Sequence, residues 1–546
     1  MTERTTARAI VDTLLANDVD TVFGLPGAQM YPLFDALHQS SDRIRTIGAR
    51  HEQGLGYMAF GYARSTGRLG VYAPVPGPGV LNTTAAMCTA LGACAPTLCL
   101  TGEIPSAFVG KGRGHLHELP DQLGILKRLT LHAEHIDRPA DAPRITNEAI
   151  AAATSGRRGP AAVSVCWDVL GESGQIDDPG AAVVQPDPEP DADAILRCVK
   201  LIENSRQPMI FVGSGAQDAA AAVGRLAEML RAPVVGFRGG RGVVGEDLPL
   251  GLNMAAAWNL WPEVDLMIGI GTRLEIPFMR WGGMMRYNRS IEGRKLIRID
   301  VDPAEMPRLD TDGPVVAGAS AGVTALIEAL DRAGHVPRGD PDTIARAKVQ
   351  AHHAIREIQP QMDYLDVIRD VLPRDGFLVE ELSQMGFTSN FGYPVYVPRT
   401  YVSCGFQGTL GFGFPTALGV KVAHPDKAVV SLTGDGGFMF AMPELATAVQ
   451  HRINLVTIVF DNGCYGNVLR DQQTRFDNHV IGADLVNPDF CRLADSFGIR
   501  NWRVNTPAAL RPALEAALAL QEPSLIVVEV ARASESSPWK FIHPAG

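Results

Sequence analysis

Apolar positions along the chain follow two rhythms that take turns. Ala7 to Ala16 has the three-and-four spacing of a helix, and Thr21-Val22-Phe23-Gly24 is a short apolar run ending at the Gly24-Leu25-Pro26-Gly27 turn. Tyr31 to Leu37 is helical again, Arg45-Thr46-Ile47 extended, and Gly54 to Arg64 helical. Leu69 to Ala73 reads as a strand that breaks at Pro76-Gly77-Pro78-Gly79, followed by a helix of small residues and the strand Thr97 to Leu100. Brief strands that are apolar on both faces, separated by helices, predict a parallel sheet covered on both sides.

The alternation stops twice. Gly171 to Asp193 is rich in Asp, Pro, Gly and Gln and reads as a linker, and the polar stretch Gly334 to Asp342 closes a second block. That second block carries the strands Met209 to Val212, Leu266 to Ile270 and Leu296 to Ile299. In the last third Ala428 to Leu432 is a strand, Glu444 to His451 a helix, and Leu455 to Phe460 and Leu525 to Val530 are strands. A chain of 546 residues is too long for one hydrophobic core. The expected architecture is α/β, three doubly wound parallel-sheet domains over residues 1–172, 190–335 and 355–546.

Composition narrows the partners. A net charge of −11 with no basic stripe excludes nucleic acid and anionic membrane surfaces, and no apolar stretch is long enough to span a bilayer. The polar start Met1-Thr2-Glu3-Arg4 leads straight into a helical pattern and is not read as a signal peptide. The eight cysteines lack metal-type spacing and read as reduced thiols of a cytoplasmic protein.

The strongest chemical signal is Thr433-Gly434-Asp435-Gly436-Gly437 at the end of a strand, answered one strand later by Asp461-Asn462-Gly463-Cys464-Tyr465-Gly466. Ligands of parallel sheets gather beyond the carboxyl ends of the strands. Two adjacent ends would set Asp435 beside Asn462, and with the Cys464 carbonyl they offer hard oxygen donors suited to Mg²⁺. Gly434, Gly436 and Gly437 would let backbone amides approach a phosphate at a helix start.

This pair of motifs resembles the diphosphate motif of thiamine-diphosphate enzymes, with Asp461 where the family's first Asn stands. The resemblance runs through the chain and is closest to the acetolactate synthase, benzaldehyde lyase and benzoylformate decarboxylase group. Arg50-His51-Glu52-Gln53-Gly54 with Gly61-Tyr62-Ala63-Arg64 is similar to its N-terminal signature. The resemblance implies that Glu52 bonds the aminopyrimidine ring from an apolar pocket and favours the tautomer that generates the ylid. Gly405 to Pro415 resembles the segment that bends the cofactor, with Leu410 as the wedge and the Gly408 carbonyl and Leu410 amide at the pyrimidine edge. Gly77 and Asn82 fall on the turn beside that ring, with Pro76 in place of a serine, and Ser383 and Gln384 fall on a phosphate-contacting loop. The family pairs the first and last domains of different subunits across the cofactor, which implies a homodimer or tetramer with inter-subunit active sites.

Specificity is less legible. Gln29 stands where benzaldehyde lyase has a proton-relaying histidine; it can hydrogen-bond a carbonyl but relays no proton. In Gly112-Arg113-Gly114-His115-Leu116-His117-Glu118, His115 and His117 are candidates for proton transfer, and His117 matches a glutamine of relatives. Lys111, Arg113 and Arg470 are candidate partners of a substrate carboxylate, and the acetolactate-type tryptophan is missing near Asp471. The middle domain resembles one that binds FAD in acetolactate synthases and ADP or nothing in relatives; Val212-Gly213-Ser214-Gly215 and Arg273 are its candidate contacts. The expected activity is that of a 2-oxo acid decarboxylase or carboligase, working through ylid and enamine intermediates on a small 2-oxo acid or hydroxyketone. Cleavage of a 2-hydroxyacyl-CoA or a diketone, and non-catalytic cofactor binding, stand as alternatives.

Overall fold

A computed structural model describes residues 2–282 and 293–544; Met1 and Gly546, the outermost residues of the domains read above, lie outside them. Three six-stranded, all-parallel sheets follow one another along the chain. The first has the order Arg45–Gly48, Thr21–Gly24, Gly70–Ala73, Thr97–Glu103, Pro160–Cys166, His132–Ile136. The central one has Pro208–Val212 beside Leu266–Ile270, and the third has Phe377–Glu380, Val429–Gly434, Val456–Asp461 and Ser524–Glu529 in adjacent places. Their strands are buried almost throughout, as sheets covered by helices on both faces require.

One expectation is corrected. The start of the chain does not lead directly into a helix, and the linker is not wholly irregular: Thr2–Thr5 and Ser173–Ile176 pair as an antiparallel ribbon. Both segments are polar and half-exposed, so neither carried an apolar alternation by which to find it. Among the described residues no helix is long and apolar enough to cross a membrane.

The first and third domains are joined by two buried helices, Glu52–Thr66 and Gly413–Ala423. The first is buried at every position from Gly54 to Ser65, and Leu55, Tyr57 and Phe60 share one core with Phe412, Phe414 and Leu418. Glycines set the approach: a Cβ on Gly61 would fall 2.1 Å from the Thr416 carbonyl oxygen, and one on Gly419 would fall 1.9 Å from that of Met58. Backbone cannot yield as a side chain can, so Gly419→Ala should cost about 1–3 kcal/mol, read as a lower thermal midpoint. Gly224→Ala, whose Cβ meets nothing within 4 Å in the helix Ala220–Leu230, is the control and should hold or raise it.

Candidate active site

Strands Val429–Gly434 and Val456–Asp461 pair with Gly434 beside Phe460, so their carboxyl ends present Asp435 and Asn462 to one space. Asp435 opens the helix Asp435–Ala441 and is 3% exposed. Its Oδ1 accepts from the Gly436 amide at 2.9 Å and its Oδ2 from the Gly463 amide at 2.9 Å, which laces the second loop to the first. Asn462 Oδ1 accepts from the Cys464 amide at 3.2 Å, while its Nδ2 donates to Glu535 Oε2 at 2.6 Å. A cavity of about 180 Å³ adjoins them, lined by Ser383, Gln384, Leu410, Gly434, Asp435, Gly436, Gly437, Asn462, Cys464 and Glu535 among others.

Most of the residues assigned to cofactor and metal from sequence therefore meet in one place. Gly408 does not line the cavity; it is an exposed left-handed turn residue, φ 61°, two positions before Leu410. The glycines also have a packing reason that the sequence hid. A Cβ on Gly436 would fall 2.4 Å from the Tyr465 ring, and one on Gly437 2.8 Å from Glu381 Cγ. Ser383 caps the helix Gln384–Gly392 by accepting from the Gly386 amide at 3.1 Å, and Gln384 Oε1 accepts from Arg470 Nη2 at 2.9 Å. Arg470 is thereby tied down, whereas Lys111 and Arg113 stay on an exposed loop.

The donor set fits a hard divalent cation. Burial, opposed by hydrogen bonds and reinforced by neighbouring Asp461, pushes the Asp435 carboxyl up to about 6. Asn487 Nδ2 bridges the two acids, donating to Asp435 Oδ2 at 2.7 Å and Asp461 Oδ1 at 2.8 Å. A carboxylate pair held together by an amide lacks positive charge, which a bound divalent cation would supply. Glu535 turns the Asn462 amide nitrogen toward itself and so fixes the direction of the amide oxygen, the usual service of a second carboxylate at a metal site. Asn487 and Glu535 were missed from sequence, since each reaches the site from a loop with no motif of its own. Glu381, equally missed, accepts from the Leu382 and Gly413 amides at 2.9 Å behind the Leu410 turn, and burial pushes it up to about 8.

The other assigned residues gather on the first domain. Glu52 is the first residue of the helix Glu52–Thr66, and its Oε2 accepts from Asn82 Nδ2 at 2.9 Å. The apolar pocket expected for it is not formed within the chain: Glu52 is half-buried and Asn82 exposed. Its helix start is held from the third domain, where Glu444, 1% exposed, accepts from the Arg50 amide at 3.1 Å and the His51 amide at 3.0 Å. The Gly77 turn packs between Glu52 and His117. A Cβ on Gly77, φ 62°, would fall 2.4 Å from the His117 carbonyl oxygen, and one on Gly79 3.5 Å from Glu52 Oε1.

Gln29, 3% exposed, meets His117 Nδ1 through Oε1 at 2.6 Å and donates from Nε2 to the Leu116 carbonyl at 2.8 Å. Both of its amide ends are engaged, and the second amide hydrogen has no acceptor among the described residues, which leaves one donor for the carbonyl-binding role read from sequence. His115 faces the loop instead, its ring 4.0 Å from that of Phe108, and is not part of the Glu52 cluster. None of Glu52, Asn82 and His117 lines the cavity at Asp435, whose walls come only from the third domain.

A larger cavity, about 500 Å³, sits at the carboxyl ends of Pro208–Val212 and Leu266–Ile270, where the central strand order reverses direction. Gly213, Ser214, Gly215, Gly271 and Arg273 line it, as do Arg64 and Arg157 from the first domain and Phe406 from the third. The tail also folds back: Trp539 Nε1 donates to Asn467 Oδ1 at 2.6 Å, bringing a tryptophan onto the helix Gly466–Arg475 from outside the expected position.

Comparison with known proteins agrees with this arrangement. Residues 4–125 match the N-terminal TPP binding domain of thiamine pyrophosphate enzymes, residues 195–326 the central domain and residues 383–528 the C-terminal TPP binding domain. The probable acetolactate synthase large subunit of Methanocaldococcus jannaschii is 32% identical, over 97% of this chain and 93% of its own. The probable 2-ketoarginine decarboxylase of Pseudomonas aeruginosa is 32% identical over 90% and 88%, and the acetolactate synthase isozyme 2 large subunit of Escherichia coli 30% over 98% and 97%.

Proposed function

The chain belongs to the thiamine pyrophosphate enzyme family, and on that premise we propose that it is a thiamine-diphosphate-dependent 2-oxo acid decarboxylase or carboligase of the acetolactate synthase type. The observation that carries this reading is the cradle of oxygen donors at Asp435 and Asn462 in a chain that matches all three family domains. Bound thiamine diphosphate supplies a ring carbon that adds to the substrate carbonyl and holds the electron pair left when the adjacent carbon–carbon bond breaks.

The residues around it have separable tasks. Asp435, the Asn462 amide oxygen and the Cys464 carbonyl would hold Mg²⁺, with Glu535 bonded to Asn462 and Asn487 to Asp435. Leu410, which lines the same cavity, would support the cofactor rings. Glu52 holds and returns a proton at the aminopyrimidine nitrogen, with Asn82 fixing its other oxygen, and His117 handles protons on the substrate side. An assay with thiamine diphosphate and Mg²⁺ over pyruvate, 2-ketobutyrate and benzoylformate, each with and without an aldehyde, tests the reading. Cofactor-dependent CO₂ release or ligation is expected; bound cofactor without turnover of any of them sinks it.

The active site is proposed to form between subunits of a homodimer or tetramer. What supports this is that Glu52 does not line the cavity at Asp435, whose lining comes from the third domain, although the chemistry needs the two together. Mixing Glu52→Gln and Asp435→Ala chains after dissociation should then restore activity that neither has alone. Each heterodimer keeps one intact site of two, so an equal mixture is expected to regain about a quarter of the wild-type rate. No recovery would place both residues in the same subunit's site.

The central cavity is proposed to take FAD, supported by the close backbone approach of Gly213 to Gly271 and by Arg273 stacked 4.9 Å over Phe406. A flavin absorbance band in the purified protein is the expected result, and a colourless adenine nucleotide would replace FAD by ADP. The eight free thiols support a cytoplasmic location.

A further inference from the structure

Both Gln29 and His117 sit in the left-handed region, φ 68° and 70°, where side-chain-bearing residues seldom rest. They touch each other there, which is what two strained positions facing one cleft would have to be held for. We propose that Gln29 is a positioning residue that locks the His117 ring in the tautomer whose Nε2 is free to accept a proton. The proposal deepens the reading of the Glu52 face as half of a thiamine-diphosphate site and rests on it.

The lock follows from which groups can donate. A backbone carbonyl only accepts, so the Gln29 end that meets the Leu116 carbonyl at 2.8 Å is the amide nitrogen. The end left for His117 Nδ1 at 2.6 Å is therefore the amide oxygen, which also only accepts. Nδ1 must carry the hydrogen, and in a neutral imidazole the lone pair then lies on Nε2. Nε2 has no hydrogen-bond partner among the described residues.

Gln29 can enforce this because it cannot turn over. It is 3% exposed, its amide nitrogen has no other acceptor, and flipping it would set nitrogen against Nδ1 and oxygen against a carbonyl. The Gly77 turn closes against the His117 backbone and fixes the ring's base from the other side. Burial holds the His117 ring below the usual imidazole range, against which the Glu52 carboxylate favours the imidazolium; Glu118, next in sequence, is occupied by the Gly114 and His115 amides. In the step proposed, the His117 Nε2 lone pair takes the proton of the substrate-derived hydroxyl as its oxygen becomes the product carbonyl, while the bond from that carbon to the cofactor's ring carbon breaks and the ring carbon keeps the electron pair. The His117 ring becomes imidazolium while Nδ1–H stays on Gln29 Oε1, and Nε2 gives the proton to the carbonyl oxygen of the next substrate as that carbonyl is added to.

The test uses full-length holoenzyme with ¹⁵N-labelled histidine, the His117 signals being those lost in His117→Ala. Two-bond ¹H–¹⁵N spectra of the wild type should show a protonated Nδ1 and a bare Nε2, and Gln29→Met should mix the two tautomers and lower kcat. Gln29→Glu, of the same shape, should keep the tautomer but set a carboxylate on Nδ1. That favours the imidazolium, so the acid limb of kcat/KM should move to higher pH by about one to three units. A wild-type ring protonated on Nε2, an unchanged tautomer in Gln29→Met, or an unmoved acid limb in Gln29→Glu would each overturn the proposal. Failure of the wild type to turn over any 2-oxo acid is a separate result: it removes the enzymatic reading, and the tautomer spectra do not depend on it.

Discussion

Glu52→Gln is expected to lower kcat by about 10²–10⁴-fold, the usual worth of a positioned acid–base group, while the protein stays folded and keeps its cofactor affinity. The amide has the carboxylate's shape and can still accept from Asn82, so the geometry around residue 52 survives. What it cannot do is hold a proton and give it back. The helix start does not depend on residue 52 for its shape, because Glu444 accepts from the Arg50 and His51 amides and the His51 ring from that of Gln53. Only the favourable charge at the helix N-terminus is lost, about 0.3–1 kcal/mol. The measurement is kcat beside the thermal shift produced by thiamine diphosphate and Mg²⁺. A rate within tenfold of wild type would remove Glu52 from the chemistry, and a lost thermal shift would make it a binding residue instead.

Asp435→Ala should act oppositely, on binding before chemistry. Replacing groups that merely support a metal ligand weakens metal affinity by about 10–100-fold, and loss of the ligand itself should exceed the upper end of that range. The stability of the metal-free protein should not fall in parallel. Burial raises the Asp435 carboxyl to about 6 from an ordinary 3.8, so the folded state binds its proton more tightly than the unfolded chain. That contribution is fully present below pH 3.8 and is lost as pH rises through 6. At neutral pH the bare carboxylate is thus a burden to the metal-free fold, and alanine relieves it. Calorimetry should find a midpoint equal to or above that of the wild type without metal, and no upward shift on adding cofactor and Mg²⁺. In the wild type the cofactor's affinity should weaken below pH 6, where the proton competes with the cation. A variant that still gains stability from Mg²⁺ and cofactor would relocate the metal site.

The cradle was legible because its motif is local and its geometry generic. Gly434-Asp435 and Asp461-Asn462 each end an apolar strand, and in a parallel sheet consecutive strands joined by a helix lie side by side often enough to place the two acids together. Asn487, Glu535 and Glu444 were not legible. Each is one polar residue in a loop or helix start, selected by a partner far away in sequence, and no spacing rule connects Glu444 to Arg50. The opening strand Thr2–Thr5 was missed for the same reason, its partner lying beyond the whole first domain. The bonding of Gln29 to His117 and Leu116, and the contact of His115 with Phe108, were not legible either, because residue type shows what a side chain can do and not what is already bonded to it.

The packing of Glu52–Thr66 against Gly413–Ala423 has a consequence for synthesis. The helix that carries Glu52 leaves the ribosome early, yet the surface that covers its Gly61 and Met58 side is translated about 360 residues later, which at about 5–20 residues per second means a wait of tens of seconds. Through that interval the core of Leu55, Tyr57 and Phe60 lacks the part of its native cover that Phe412, Phe414 and Leu418 give it, so a nascent chain stalled after the central domain should be bound by chaperones that the finished protein escapes.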